Sequence, residues 1–170
     1  MRQNGRGGEW GLTALRVAAG AFMVGHGMHK LRDVDGTGRA FERLGLRPGR
    51  HHALLAGVTE AGAGAASVLG VFTPAASAAL TGTMTVAIAK VHGKNGPWIT
   101  KGGYEYNAAL IAIGFALAAA GPGRLALDGT VTRRRAGLGW AVAELGIGAA
   151  TAGVVMAAAE RRAQQAAPTD

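Results

Sequence analysis

The sequence predicts an all-α fold, a polytopic membrane helix bundle, on three observations. Five long apolar runs fill about 10–29, 52–72, 75–91, 104–121 and 136–159, each near the ~17–25 residues that a membrane span takes. Charged residues are confined to the stretches between the runs, unlike an amphipathic soluble chain. The runs are dominated by alanine and by the chain's 29 glycines, small residues that let membrane helices pack closely.

Taken in order, the short basic N-terminus, 1–9, reads as a tail. The first run ends in "GHGMHKL", with no clear cleavage site, so it reads as a retained helix and not a cleaved signal. The connection 30–51 is long and charged, and "GTGRAFERLGL" within it predicts a short interfacial amphipathic helix. "FTPAA" places Pro74 at a helix start and closes an αα-hairpin. "HGKNGPWITKGG" is a polar turn whose Trp98 suits a membrane–water boundary. "GPGRLALDGTVTRRR" links this core to an additional helix within 129–160, and 161–170 reads as a disordered tail.

Composition narrows the function. The net charge of +8 comes from basic residues at the ends of apolar runs ("KLRD", "VTRRR", "AAERR"), where anchors and topology signals belong, so nucleic acid is not the expected partner. The positive-inside rule favours the first and third connections in the cytoplasm, in a multi-pass protein of the plasma or inner membrane. With no cysteine, the chain has no disulfide, thiolate metal site or dithiol relay. Redox chemistry here would need a bound cofactor or a partner.

Alternating spans bring the polar residues to one membrane face. His26, His29 and Lys30 end the first helix, Glu60 lies inside the second, Lys90 and His92 end the third, and Tyr104, Glu105, Tyr106 and Asn107 open the fourth. These residues, apart from Lys90, form the candidate ligand-binding set. At 100° per residue, Glu60 shares a face with Ala53, Gly57, Ala63, Gly64 and Ser67, and Glu105 with Ala109, Ala112 and Ala116. Small residues mark packed faces, so both glutamates are expected to point inward. Glu60, roughly 10 Å inside its helix at 1.5 Å per residue, needs a partner, and His26 is the natural one. The plainer readings make Glu105 a first-turn acid on the helix dipole and Lys30, Lys90 and His92 snorkelling anchors. In the opposite half, Arg16 and Glu144 are candidates for a structural ion pair.

"LRVAAGAFMVGHGMHKL", "TEAGAGAASVLGVFTPAASAAL" and "GGYEYNAALIAIGFALAAAGPGRLALD" resemble the DoxX family of small integral membrane proteins, over about 10–128. The resemblance implies a compact four-helix membrane domain, distantly related to a subunit of thiosulfate:quinone oxidoreductase, with 136–159 as a fifth helix beyond the usual pattern. Its motif positions fall here on Arg16, Gly25, His26, Lys30, Glu60, Gly70, Thr73, Tyr104–Asn107, Gly121, Pro122, Gly123 and Asp128. Its implied setting is redox, with quinone as the possible ligand.

The chain carries no complete catalytic motif and no flavin, nucleotide or haem signature. Three readings follow. The first is an accessory or subunit of a membrane redox system, with the polar pocket binding a quinone-like ligand and a soluble redox partner or a second copy alongside. The second is a non-catalytic scaffold that docks a soluble protein through Arg39, Arg43 and Arg47. The third, ranked well below, is a small-molecule or metal carrier using His26, Glu60, His92 and Glu105, whose spacing matches no metal motif.

Overall fold

A computed structural model describes residues 4–165, and the described chain is all-helical. Its helices are α1 (Asn4–Arg32), α2 (Val34–Arg43), α3 (Gly49–Leu69), α4 (Thr73–Ala87), α5 (Glu105–Ala120) and α6 (Leu138–Gln165). A π turn, Ile88–His92, prolongs α4, and two 3₁₀ turns, Gly93–Asn95 and Ile99–Lys101, lead into α5.

Two expectations are corrected at the ends. Helix α1 begins at Asn4, inside the stretch expected as a tail, and α6 runs on to Gln165, past 161. The rest of both expected tails lies outside the described residues. Only Leu138–Gln165, among the described residues, is both long and apolar enough to cross a membrane by length and composition. Helices α4 and α5 have 15 and 16 residues, and α1 and α3 owe much of their length to weakly hydropathic glycine and alanine.

Helices α1, α3, α4, α5 and α6 run alternately up and down between two ends of the bundle. The end holding Lys30, Gly49, His92 and Glu105 is called the head here, and the end holding Arg16, Gly70 and Pro122 the base. Helix α4 is central, with α3, α5 and α6 against it, while α1 lies on α3. The short α2 starts at Asp33, whose carboxylate accepts from the N–H of Gly36, and lies across the head against α3.

The α1–α3 contact is backbone to backbone. A Cβ on Gly20 would lie 2.6 Å from the Gly64 carbonyl, and one on Gly64 2.7 Å from the Gly20 carbonyl. Only glycine fits at both positions. Ala19, Met23, Ala63, Ala76, Leu80, Met84 and Leu110 fill the core between α1, α3, α4 and α5. Outside it, Phe22, Val58, Val142, Ile147 and Val154 stand exposed.

The base is locked by two buried polar residues. Arg16, 1% exposed, gives Nε to the carbonyl of Pro122 (2.8 Å), Nη1 to those of Ser67 (2.9 Å) and Val68, and Nη2 to those of Arg124 (3.0 Å) and Leu125 (3.2 Å). It thereby satisfies the Val68 carbonyl at the end of α3 and adds a second donor to that of Ser67, which also accepts from the Gly70 N–H. Gly70 ends α3 in the left-handed region (φ 63°), and a Cβ there would meet the guanidinium at 2.9 Å. Asp128, from the α5–α6 connection, accepts from the N–H of Phe72 and of Thr73, both at 2.9 Å, and so caps α4 from outside. The Thr132 hydroxyl also donates to it. Burial alone would raise the Asp128 carboxyl, but the bonds from Thr132, Thr73 and Phe72 outweigh it and hold it below its ordinary value.

Candidate functional site

The alternation of helices that brings polar residues to the head also leaves a space there. Helix α4 is lined by small residues, Ala75, Ala78, Ala79, Gly82 and Ala87, so α3 and α6 pack on either side of it without closing over it. The result is a crevice of about 650 Å³ running along α4 from Pro74 to His92. At ~1.5 Å per residue this is about 27 Å, close to the thickness of a bilayer's hydrocarbon core. Helix α2 roofs its head with Phe41, and Leu44 and Leu46 follow from the turn after it.

The polar residues at the head surround an ion pair. Lys30 Nζ donates to Glu60 Oε2 at 2.6 Å, and the glutamate side chain is 6% exposed. Glu60 therefore lies on the buried face with Ala53, Gly57, Ala63, Gly64 and Ser67. Its partner is Lys30, not His26 as expected. The longer lysine side chain reaches the carboxylate from the next helical turn, while His26 sits at the exposed edge of the crevice, its ring centroid 6.0 Å from that of Tyr106. Lys30 is thus the half-buried partner of Glu60 and not a free anchor. Tyr106 lines the crevice, and its hydroxyl is buried without a hydrogen-bond partner. Asn107, also buried, donates to Met84 Sδ at 3.3 Å.

Of the candidate set, the fold brings His26, Lys30, Glu60, His92, Tyr106 and Asn107 to the crevice. His92 is held there by its Nδ1, 2.8 Å from the Gly102 carbonyl. His29, Tyr104 and Glu105 do not join them. His29 is exposed, and Tyr104 lines a shallow groove on another side, with Ile88, Ile111 and Phe115. Glu105 accepts from the N–H of Ile99 at 3.0 Å, fastening the 3₁₀ turn to the start of α5. The inward direction expected for Glu105 is overturned. Helix α5 buries Asn107, Leu110, Gly114, Leu117 and Ala118, whereas Ala108, Ala109 and Ala112 stand outward. The reason is that α5 packs on α4 by setting Gly114 against Ser77, which fixes its rotation.

The pairing of Arg16 with Glu144 is also corrected. Arg16 spends its donors on base carbonyls, while Glu144, 1% exposed, accepts from Thr81 Oγ1 at 2.9 Å and lines the deep part of the crevice. The other Glu144 oxygen, Oε1, is buried without a partner. The crevice is also lined by the polar residues His52, Thr59, Thr83 and Thr151, none of them in the candidate set. His52 sits eight residues before Glu60, about 80° round the helix from it, so helical angle alone does not mark it. Lys90 lines the crevice too, with Nζ 3.3 Å from Glu160 Oε1, which ties the end of α6 to α4. Among the described residues, no three His, Cys, Asp or Glu side chains converge as a metal site, so the quartet His26, Glu60, His92 and Glu105 is not assembled.

Fold and site define a helical bundle with an ion pair at the head of an apolar crevice. Residues 11–93, from α1 through the π turn, match the DoxX family model, so that segment is similar to the DoxX family. No curated protein and no solved structure matches the chain. The matched segment carries His26, Lys30, Glu60 and His92, while Tyr106, Asn107 and Glu144 come from helices beyond it.

Proposed function

We propose that the chain is a multi-pass membrane protein of five spans, α1, α3, α4, α5 and α6, whose crevice binds an elongated quinone-like amphiphile for a membrane redox system. The observation that carries this reading is the Lys30–Glu60 pair, 2.6 Å apart at the head of an otherwise largely apolar crevice of about 650 Å³. Large apolar side chains on the outer faces of α1, α3 and α6 suit lipid contact. Helix α2, with Phe41 inward and Arg39 and Arg43 exposed, suits the interface.

The residues present fit such a ligand. A quinone supplies two-electron chemistry and, for recognition, ring carbonyls that only accept hydrogen bonds. The buried Tyr106 hydroxyl is an unused donor beside the head, and Lys30 has two further N–H groups beyond the one given to Glu60. His26, at the exposed edge, is placed to pass protons between solvent and the head through its two ring nitrogens. The strip of small residues along α4 leaves room for an isoprenoid-like tail, and the open side between α3 and α6 gives it an exit.

Binding of a short-chain benzoquinone to the purified full chain tests this. Tyr106→Phe should weaken binding by about fivefold, the worth of one hydrogen bond near 1 kcal/mol. Absence of saturable binding by the wild-type protein would defeat the reading.

A further inference from the structure

Three carboxylates are buried in the described structure: Glu60, Asp128 and Glu144. Glu60 is matched by Lys30, and Asp128 by two backbone N–H groups and the Thr132 hydroxyl. Glu144 has only the Thr81 hydroxyl, on Oε2, and its buried Oε1 has nothing. No described cation lies within salt-bridge distance of it. Gly114 of α5 faces it, and even an added Cβ there would stay 3.7 Å from Oε1. A carboxyl in apolar surroundings is kept neutral either by a proton or by a cation at contact.

We infer that Glu144, with Thr81, is a second binding site deep in the crevice, which takes the ammonium head of a lipophilic amine in exchange for a proton. The ammonium N–H donates to Oε1, the carboxyl proton leaves to water through the crevice, and the site is neutral before and after. The apolar chain of the amine lies along α4, beside Ala143 and Ile147. An acid-headed amphiphile cannot take the place of the Glu144 proton as a counter-cation, so it gains no ion pair there. This inference rests on the crevice being a ligand site but not on the quinone. The groups around Glu144 are Thr81 and Ser77 on α4, with Lys90 nearer the head and held by Glu160; Gly114 on α5; and, elsewhere on the lining, the Lys30–Glu60 pair, His26, His52, His92 and Tyr106.

The test uses a photoreactive long-chain primary alkylamine on the purified full chain in zwitterionic nanodiscs, with peptide mapping. Labelling should fall on α4 and α6 near Thr81 and Glu144, and should decline from mildly alkaline to mildly acidic pH as protons compete. Glu144→Gln, which keeps an acceptor for Thr81, should reduce labelling about tenfold and abolish its pH dependence. Ala143→Phe, which fills the crevice and leaves the carboxyl, should also block labelling. Equal labelling by the amine and by the same chain ending in a carboxylate would overturn the inference. So would unchanged labelling of Glu144→Gln in a sample whose unfolding temperature matches wild type. If benzoquinone binds but the amine does not, only this inference fails; if neither binds, the crevice is not a ligand site.

Discussion

Lys30 Nζ lies 2.6 Å from Glu60 Oε2, and this bond ties α1 to α3 at the head of the crevice. The lysine side chain is 22% exposed and the glutamate 6%, so water does little to share either charge. Removing one partner strands the other. Lys30→Met should destabilise the bundle by ~3–5 kcal/mol, and Lys30→Met combined with Glu60→Gln should recover most of that loss. Thermal unfolding of the three purified proteins decides it. Losses that simply add would show that the pair is not coupled.

Much of this pair was legible in the sequence, and its limits are instructive. The small-residue face of α3 pointed Glu60 inward correctly, because Gly57 and Gly64 lie where α1 approaches. The same rule failed on α5, where alanine covers nearly every face and cannot mark one. There Gly114 against Ser77 and the buried Leu110 and Leu117 set the rotation, and no periodicity in the sequence distinguishes them. Choosing Lys30 over His26 depends on side-chain reach between helices, which helical angles alone do not give. A polar pocket was expected, but its long apolar extension along α4 was not legible, since it comes from what α4 lacks and from how far apart α3 and α6 settle.

Arg16 should tolerate no replacement. It gives hydrogen bonds to five carbonyls at the base. Lysine, with one nitrogen and no fork, cannot serve them together. Arg16→Lys is expected to cost about 3 kcal/mol or more, since each buried carbonyl left unpaired costs ~1–3 kcal/mol. A lysine variant that unfolds at the wild-type temperature would contradict the clamp.

Asp128 makes the base sensitive to acid. Its folded carboxyl titrates below its ordinary value of 3.8, so its stabilising contribution is fully present above that pH and is lost as pH falls through the lower, folded value. Wild-type protein should therefore lose stability on acidification below about pH 4, and Asp128→Asn should start lower and lose less over the same window. Parallel acid unfolding curves for the two would remove Asp128 as the cause.

The Gly20–Gly64 crossing predicts a steric limit. Gly64→Ala places a methyl 2.7 Å from the Gly20 carbonyl, so α1 must shift away from α3. Overpacking of this kind typically costs ~1–3 kcal/mol. Gly62→Ala, whose Cβ meets nothing, should be neutral and serves as the control for denaturant unfolding.

The central claim is that the crevice along α4 binds a quinone-like amphiphile at its Lys30–Glu60 head. Photolabelling of the full chain in nanodiscs with a photoreactive short-chain benzoquinone, mapped by peptide, tests it most directly. The account predicts adducts at Tyr106 and around Lys30 and Glu60, reduced about tenfold by Ala79→Phe, which blocks the crevice beneath the head. Adducts confined to outward residues such as Phe22 and Val58, and equal in both proteins, would contradict it.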